Sequence, residues 1–406
     1  MGDVAPYTGL GVRLRDAGHE VTVATHGPFA GAVAEAGLAF TAIPGDLRAI
    51  LPRAHGQDGS SSGTGPRALA RLMRLAGPLV SSLGRGIADA VAGTRAEAVL
   101  LSTVVAPLGY QVAEAAGIPY AGVFLQPVFP TREFGSVLVG GRSLGGPANL
   151  LGAYAVELSA RPLYAHPVSE LRAGLGLPAR GMRRLQRDQQ HRHPTFHGFS
   201  TAVVPRPADW PASQEVVGYW WPAPRTGWQP PAALSAFLAA GAPPVFIGFG
   251  SMAPGHGARL AAPVLAAVRA AGVRAVVQAG WAGLEVSDGA DVLGIGEAPH
   301  DWLFPRMAAV VHHAGAGTTA AGLRAGVPAV PVPVLADQPF WARRLHELGA
   351  ATAPVPLSEL TADRLAAALR EVTTDPHRAA RAAALAARLA GEDGAARVMD
   401  WLAEQH

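Results

Sequence analysis

A histidine pair followed by a glycine turn is the part of this sequence with the clearest chemical use. An apolar run ends in His312 and His313, and Gly315 and Gly317 then lead to Thr318. In a strand–turn–helix of this kind, free amide N–H groups and the helix dipole attract a phosphate. We expect Thr318 or the threonine after it to cap the helix, and the hydroxyl and imidazole groups to add donors without a metal. The alternative is a tight turn beside a core histidine.

Two other polar segments are predicted to reach the same edge of a sheet. Gly250 and Ser251 follow one apolar strand, and Asp337 and Gln338 follow the strand predicted at 329–334. Ligands bind where the carboxyl ends of parallel strands meet. A carboxylate and an amide can accept from and donate to vicinal hydroxyls, which fits a sugar. An Asx turn before proline would explain the same two residues.

The same spacing leaves a dinucleotide-binding alternative open. Gly315, Gly317 and Ala320 match the GxGxxA pattern, and Asp337 lies 20 residues after Gly317, much as in an NAD-binding fold. Such an enzyme would also need a catalytic constellation in its other half, and we identify none. An NAD-dependent oxidoreductase is therefore the second hypothesis.

Other candidate residues are weaker on spacing alone. Asp3 stands just before the first predicted helix, where an N-cap is favoured over a general base. His191, His193 and His197 lack carboxylate partners at helical spacing. That pattern favours loop residues over a metal site.

The composition excludes whole classes of chemistry. The 406-residue chain has no cysteine and all 33 basic residues are arginine, which excludes disulfides, thiolate nucleophiles, Schiff bases and a Walker A lysine. A net charge of +3 gives no reason to expect nucleic acid as a partner. No apolar run is long enough for a transmembrane segment, so we expect a cytoplasmic protein, with transient membrane contact left open.

Strand and helix signals alternate in two series along the chain. They predict an α/β protein with two facing Rossmann-like domains, parallel sheets and an interdomain cleft. Because prolines crowd residues 205–231, we predict an N-terminal domain at 1–210, a linker at 211–231, a C-terminal domain at 232–390 and a C-terminal helix at 391–406 that packs back on the first domain. The sequence shows no strand before the first helix of the N-terminal domain, and we expect that strand upstream.

Blocks along nearly the whole chain together resemble the family-1 glycosyltransferases of the GT-B fold. The branch they resemble contains sterol glucosyltransferases and bacterial natural-product glycosyltransferases. In chain order the blocks are Gly2-Asp3-Val4 with Pro6, QPVFPTREF at 126–134, PADWP at 207–211, Gly218-Tyr219-Trp220, GFGSM at 248–252, PHDWLFPR at 299–306, the double-histidine block and DQPFW at 337–341.

The resemblance implies an inverting, metal-independent transfer of a hexose to a hydroxyl of a hydrophobic small molecule, either a natural product or a sterol-like lipid. The donor would be a UDP- or TDP-sugar held by the C-terminal domain as co-substrate, with no other cofactor. The acceptor would lie in the N-terminal domain near residues 126–134.

The resemblance also implies roles for single residues. Asp3 matches the proposed general base, which overrides the N-cap interpretation. The donor-contacting positions are Ser251, His313, Gly315, Gly317 and Thr318 for the diphosphate, Asp337 and Gln338 for the sugar, and Trp281 for the base. If the chain begins without the first strand, a catalytically inactive GT-B homologue that binds another protein is the non-enzyme alternative.

Overall fold

The molecule has two α/β lobes, each built on parallel strands. The computed structural model describes residues 4–44, 66–225, 227–250, 257–279, 284 and 289–405, without the side chains of 66–76 and 257–258. Within these ranges every paired strand runs parallel to its neighbour. Helices connect the strands in both lobes, as the sequence predicts for an α/β protein.

Among its described residues, the N-terminal lobe carries six strands in two sheets. A two-stranded sheet pairs β1 with β2, and a four-stranded sheet has the order β3-β4-β5-β6. The strands are β1 (Thr22–Thr25), β2 (Ala39–Ala42), β3 (Val99–Leu101), β4 (Tyr120–Phe124), β5 (Thr195–His197) and β6 (Gln214–Val216). The helices are α1 (Ala5–Asp16), α2 (Ala30–Glu35), α3 (Pro66–Thr94), α4 (Ala106–Ala116), α5 (Gly146–Gly174) and α6 (Met182–His191).

Helix α1 packs against both N-terminal sheets. Its Leu10 and Leu14 share a buried cluster with Val123 of β4, whereas Val12 packs on the other cluster around Val33. No backbone ladder joins β1 to β3 in the described part of the chain. The apolar side chains of α1 therefore tie the two sheets together.

In the part of the C-terminal lobe that the structure describes, five strands form one sheet with the order β11-β10-β7-β8-β9. The strands are β7 (Val245–Gly248), β8 (Ala275–Gln278), β9 (Val292–Ile295), β10 (Ala309–His312) and β11 (Ala329–Pro331). The helices are α7 (Ala232–Ala239), α8 (Gly257–Ala271), α9 (His300–Leu303), α10 (Ala316–Ala325), α11 (Gln338–Glu347), α12 (Ala362–Thr374), α13 (Pro376–Leu389) and α14 (Ala396–Ala403).

The central strand of this sheet, β7, and its neighbour β10 are buried along their whole length. Successive residues face opposite sides: Val310 belongs to one apolar cluster and Val311 to the other. Continuous apolar runs of this kind are typical of parallel strands covered on both faces. The register pairs His312 with Gly248, so the turns that leave β7 and β10 start side by side.

The last helix, α14, packs on the N-terminal lobe. Val398 and Trp401 share a buried cluster with Phe196 of β5. Arg397 forms an ion pair with Glu215 of β6, with 3.0 Å between Nε and Oε2. The end of the chain therefore connects the two lobes.

Two details of the sequence interpretation are wrong. Strand β6 lies inside the predicted linker 211–231, yet it pairs with β5 in the N-terminal sheet, so the boundary at residue 210 is too early. His197 is a fully buried residue of β5 and His191 ends α6, so neither lies in a loop. Within the described ranges, no helix is long and apolar enough to cross a membrane.

Candidate functional site

The turn between β10 and α10 presents backbone N–H groups at the edge of the C-terminal sheet. Gly315 is the N-cap residue, with φ −66° and ψ 149°, and the helix starts at Ala316. The first intrahelical hydrogen bond runs from the Thr319 N–H to the Gly315 carbonyl, at 2.9 Å. The N–H groups of Ala316, Gly317 and Thr318 therefore have no acceptor within the helix, and no side chain caps them. Open amides at a helix start are the feature from which the sequence predicts a phosphate site, and that assignment stays a prediction.

The predicted cap of this helix is wrong. The helix begins two residues before Thr318, so Thr318 lies in the first turn and Thr319 is buried beneath it. Ala314 takes the left-handed backbone conformation, with φ +59°, and this turns the chain early enough for Gly315 to be the cap. A glycine cap has no side-chain oxygen, which leaves the first amides open to a ligand.

His313 lies between the two glycine turns. A Cβ atom added at Gly250 would come within 2.7 Å of His313 Cε1, and one added at Gly315 within 2.6 Å of His313 Nε2. Gly250 also has φ +61°, a conformation that favours glycine. Because both turns contact one imidazole ring, the structure brings the ends of β7 and β10 together, as the sequence predicts.

Two other histidines beside this turn are neutral. Burial, reinforced by the neighbouring histidines, lowers the pKa of His312 to about 3. Burial and the nearby His313 lower the pKa of His300 to about 4. The His300 ring stacks on Phe304, with 4.3 Å between centroids and 13° between planes. Both rings are therefore uncharged at neutral pH, and positive potential at the turn comes from amides and the helix dipole.

Asp337 and Gln338 lie at the start of α11, which follows β11 at the same edge of the sheet. The Asp337 carboxylate accepts a hydrogen bond from Trp341 Nε1–H at 2.9 Å. Gln338 is 2% exposed, and its Oε1 accepts from the N–H groups of Val334 at 2.8 Å and Leu335 at 3.2 Å. The backbone thus fixes the amide group by its oxygen, which leaves the NH₂ end as the donor for a ligand.

A segment of the N-terminal lobe packs on the start of α11. The rings of Phe134 and Phe340 lie 5.2 Å apart. Arg343 donates a hydrogen bond to the Gly140 carbonyl, and a Cβ added at Gly141 would meet the Phe340 ring at 2.5 Å. The residues that follow β4 therefore reach the polar pair Asp337–Gln338 from across the cleft.

The segment 126–134 is itself held in place by Asp209. One carboxylate oxygen accepts from the Thr131 hydroxyl at 2.6 Å, and the other accepts from the Arg132 N–H at 2.8 Å. Hydrogen bonds to a carboxylate are stronger than neutral ones, roughly 1.5–3 kcal/mol each. Asp209 therefore fixes the conformation of this segment.

Large apolar side chains are exposed in segments that follow strands of both lobes. Val104 after β3, Leu138 and Val139 after β4, and Leu335 after β11 are between 42% and 69% exposed. Exposed apolar side chains of this size are candidates for contact with an apolar ligand.

Helix α1 contacts strand β4 and the segment around Trp221 that leads from one lobe to the other. The Tyr7 hydroxyl donates to the Val123 carbonyl of β4 at 2.9 Å, and a Cβ at Gly9 would lie 1.6 Å from the Trp221 carbonyl oxygen. Val4, the first described residue, is buried and caps the helix.

Three predicted site residues, Asp3, Ser251 and Trp281, lie outside the described residues. The other six lie at the carboxyl edge of the C-terminal sheet: His313, Gly315, Gly317, Thr318, Asp337 and Gln338.

Sequence reasoning missed the structural roles of two residues at this site. Trp341 is the partner of the Asp337 carboxylate, and its spacing of four positions along α11 is a signal that could have found it. Asp209 holds the segment after β4 through Thr131, which lies 78 positions earlier in the sequence. No local pattern indicates a contact of that separation.

Comparison with known protein families gives two matches. Residues 1–134 match the glycosyltransferase family 28 N-terminal domain. Residues 287–404 match the C-terminal domain of erythromycin biosynthesis protein CIII-like proteins.

Individual relatives match almost the whole chain. The O-mycaminosyltylonolide 6-deoxyallosyltransferase of Streptomyces fradiae is 36% identical over 402 residues, which is 97% of this chain and 92% of that protein. A sterol 3-beta-glucosyltransferase of Arabidopsis thaliana is 33% identical over 98% of this chain, and the match spans 65% of the plant protein.

Solved structures share the two-lobed fold. The glycotransferase of kitacinnamycin superposes with a TM-score of 0.72 at 20% identity, covering 99% of this chain and 95% of that one. The glycosyltransferase SnogD from Streptomyces nogalater gives a TM-score of 0.68 at 20% identity, covering 98% and 96%. The predicted fold class, α/β with two Rossmann-like domains, is confirmed.

Proposed function

This chain belongs to the GT-B glycosyltransferase family that includes antibiotic glycosyltransferases and sterol 3-beta-glucosyltransferases, and from that premise we propose that it transfers a hexose from a UDP- or TDP-sugar to a hydroxyl of a hydrophobic small molecule. Membership in this family excludes the NAD-dependent alternative. The names of the two relatives give O-mycaminosyltylonolide as the acceptor of one and a sterol as the acceptor of the other.

The donor's pyrophosphate binds at the start of α10. Support comes from the three open amides at Ala316, Gly317 and Thr318, which follow the Gly315 cap. His313 lies against that cap and adds an imidazole. As the bond to the sugar breaks, charge grows on the diphosphate, and donors already fixed in place stabilise it without reorganisation. We therefore propose that transfer does not need an added divalent cation.

The sugar binds at Asp337 and Gln338. A carboxylate accepts from two vicinal hydroxyls, and the fixed NH₂ group of Gln338 donates to a third oxygen. The support is their position at the same sheet edge as the β10–α10 turn. We assign Ser251 to the diphosphate and Trp281 to the base on the family resemblance alone.

The acceptor binds against the N-terminal lobe. The exposed apolar residues Val104, Leu138 and Val139, together with the segment 126–134, supply the apolar contact area. Phe134 brings that segment to Phe340, two residues after Gln338. An acceptor hydroxyl held there can approach the anomeric carbon of the donor.

The chemical step is a single displacement with Asp3 as the general base. The Asp3 carboxylate takes the proton of the acceptor hydroxyl while that oxygen forms its bond to the anomeric carbon. The bond from the anomeric carbon to the phosphate oxygen breaks on the opposite face, and the nucleoside diphosphate leaves with its electron pair. Configuration at the anomeric carbon is inverted.

The observation that carries the proposal is the open helix start at Gly315, next to His313. The test is isothermal titration of the chain with UDP, TDP and NAD, followed by nucleotide release with a panel of hydrophobic acceptors. We expect UDP or TDP to bind, NAD not to bind, and EDTA to leave turnover unchanged. A chain that binds the nucleotide but never turns over would be the inactive homologue.

Asp3→Asn separates chemistry from binding in the same assay. We expect the loss of at least two orders of magnitude in turnover, as for removal of a general base, with donor affinity unchanged. Asp16→Asn, at the far end of α1, is the matched control. Wild-type turnover of Asp3→Asn would remove Asp3 from the mechanism.

A further inference from the structure

The side chain of His312 forms a hydrogen bond with the backbone two residues on. Its Nδ1 accepts from the Ala314 N–H at 3.0 Å. Because Nδ1 accepts, the neutral ring carries its proton on Nε2. His312 is 0% exposed and ends β10, where its carbonyl accepts from the Val332 N–H at 2.8 Å. The ring is therefore held by the sheet at one end and bonds to the turn at the other.

The residue that receives this hydrogen bond has an unfavourable backbone conformation. Ala314 has φ +59°, one of three non-glycine residues with positive φ in the described part of the chain. A side chain at Cβ makes this conformation costly, and glycine usually replaces it. Ala314 is also fully buried, so its N–H would lack an acceptor without the His312 ring. One imidazole thus stabilises both the strained conformation and the buried donor.

The direction of the next three amides depends on this conformation. Ala314 stands between His313, which contacts both glycine turns, and Gly315, which caps α10. If Ala314 relaxed to negative φ, the chain would leave the sheet in a different direction. The imidazole of His313 and the open amides after Gly315 would then no longer face one ligand.

We propose that His312 is a positioning residue for the donor's pyrophosphate: its Nδ1 holds Ala314 in the left-handed conformation and thereby aligns His313 with the open amides of α10. It does not touch the substrate. This inference rests on the proposed function, since it concerns the same phosphate site.

Two replacements of His312 distinguish the hydrogen bond from mere core filling. In His312→Asn, the side-chain oxygen occupies the place of Nδ1 and can accept from the Ala314 N–H. In His312→Leu, a side chain of similar size has no acceptor. We expect His312→Leu to raise the Kd for UDP or TDP about tenfold, the effect of one buried hydrogen bond, and His312→Asn to recover most of that loss.

A second change, at Ala314, tests whether His312 affects nucleotide binding through the backbone conformation of Ala314. Because glycine adopts positive φ at little cost, Ala314→Gly should restore affinity to His312→Leu at least partly. His197→Leu is the matched control, since His197 is an equally buried histidine of the N-terminal lobe. It should lower the melting temperature without changing the nucleotide Kd.

Hydrogen exchange of the amides from Ala314 to Thr318 gives a readout that does not need a ligand. We expect faster exchange in His312→Leu and a return towards wild type in His312→Asn. Equal affinity and equal exchange in wild type and His312→Leu would overturn the inference. So would His312→Asn binding as weakly as His312→Leu while both fold. If the wild type binds no nucleotide, the proposed function fails, and exchange alone then decides whether His312 holds the turn.

Discussion

The rings of Phe134 and Phe340 lie 5.2 Å apart at 53° to each other, and they join the two lobes beside the polar pair at the start of α11. Phe134 ends the segment 126–134 of the N-terminal lobe, and Phe340 lies in the first turn of α11. The hydrogen bond from Arg343 to the Gly140 carbonyl extends the same contact. The segment 126–134, which we propose contacts the acceptor, and helix α11, which we propose binds the sugar, are therefore in direct contact.

Removing the ring at Phe134 should weaken acceptor use more than donor binding. Such an aromatic pair is worth roughly 0.5–1.5 kcal/mol beyond the area it buries, so we expect Phe134→Ala to lower kcat/KM for the acceptor about tenfold. The nucleotide Kd should change less than twofold, because the phosphate site is on another turn. Steady-state kinetics and titration calorimetry measure both.

Phe237→Ala is the control for that prediction. Phe237 is a partly buried ring of α7 with the Arg274 guanidinium 4.1 Å from its centroid. Its loss should lower stability without a selective effect on the acceptor. Equal effects of the two changes on kcat/KM would argue against a role of the Phe134 contact in acceptor binding.

A methyl group at Gly315 should disturb the phosphate site. The new Cβ would lie 2.6 Å from His313 Nε2, so the ring must move away. We expect Gly315→Ala to weaken nucleotide binding at least tenfold while the chain stays folded. Gly322→Ala is the matched change within the same helix, where the added Cβ meets only a Val310 methyl group at 3.4 Å. Calorimetry that finds the same Kd for both variants would contradict this geometry.

Stability should fall as the pH is lowered from 7 to 5. Burial lowers the pKa of His197 and His300 to about 4 and that of His312 to about 3. In the unfolded chain these groups titrate near 6.5, so below that pH the unfolded state binds more protons. Each histidine then removes up to about 1.4 kcal/mol from the free energy of unfolding per pH unit, until the folded rings also protonate.

Urea unfolding at pH 7, 6 and 5 measures this dependence. Carboxyl groups with lowered pKa, such as Glu114 and Asp393, titrate below about 4.5 when unfolded and contribute little in this window. Replacing His197 by glutamine should make the slope shallower. A free energy of unfolding that is constant from pH 7 to 5 would contradict the buried, neutral state of the three rings.

The C-terminal helix should stabilise the fold through its tryptophan rather than through its surface ion pair. Trp401 is 7% exposed and lies 6.1 Å from the Phe196 ring, between centroids. Truncating a buried aromatic costs about 3–5 kcal/mol, so Trp401→Ala should lower the free energy of unfolding by that amount. Arg397→Ala breaks the half-exposed pair with Glu215 and should cost less than about 1 kcal/mol. Chemical denaturation that ranks them in the opposite order would refute this view of the helix.

Local sequence patterns predicted the elements around the site well. The strand that ends at His312, the glycine turn and the helix after it are all present, and the turns after β7 and β10 meet as expected. These features follow from apolar runs and from the rule that parallel strands end at one edge. The site residues predicted in the C-terminal lobe rest on the same rule, and their roles stay predictions.

The details that sequence reasoning missed depend on single backbone conformations or distant contacts. The helix cap is Gly315 rather than the predicted Thr318 because Ala314 adopts positive φ. Alanine rarely has this conformation, so the sequence does not indicate it. Strand β6 was not predicted because it lies in a proline-rich segment and forms only by pairing with β5, a contact that the local sequence does not indicate. His197 looked like a loop residue because the aromatic cluster that buries it comes from separate parts of the chain, including Phe124 and Trp210.

A crystal structure of the chain with bound TDP or UDP tests the central claim most directly. We predict that the phosphate oxygens lie within hydrogen-bond distance of the N–H groups of Ala316, Gly317 and Thr318, with the His313 ring as a further donor. A diphosphate bound elsewhere, with the amides of this turn facing only solvent, would contradict the account.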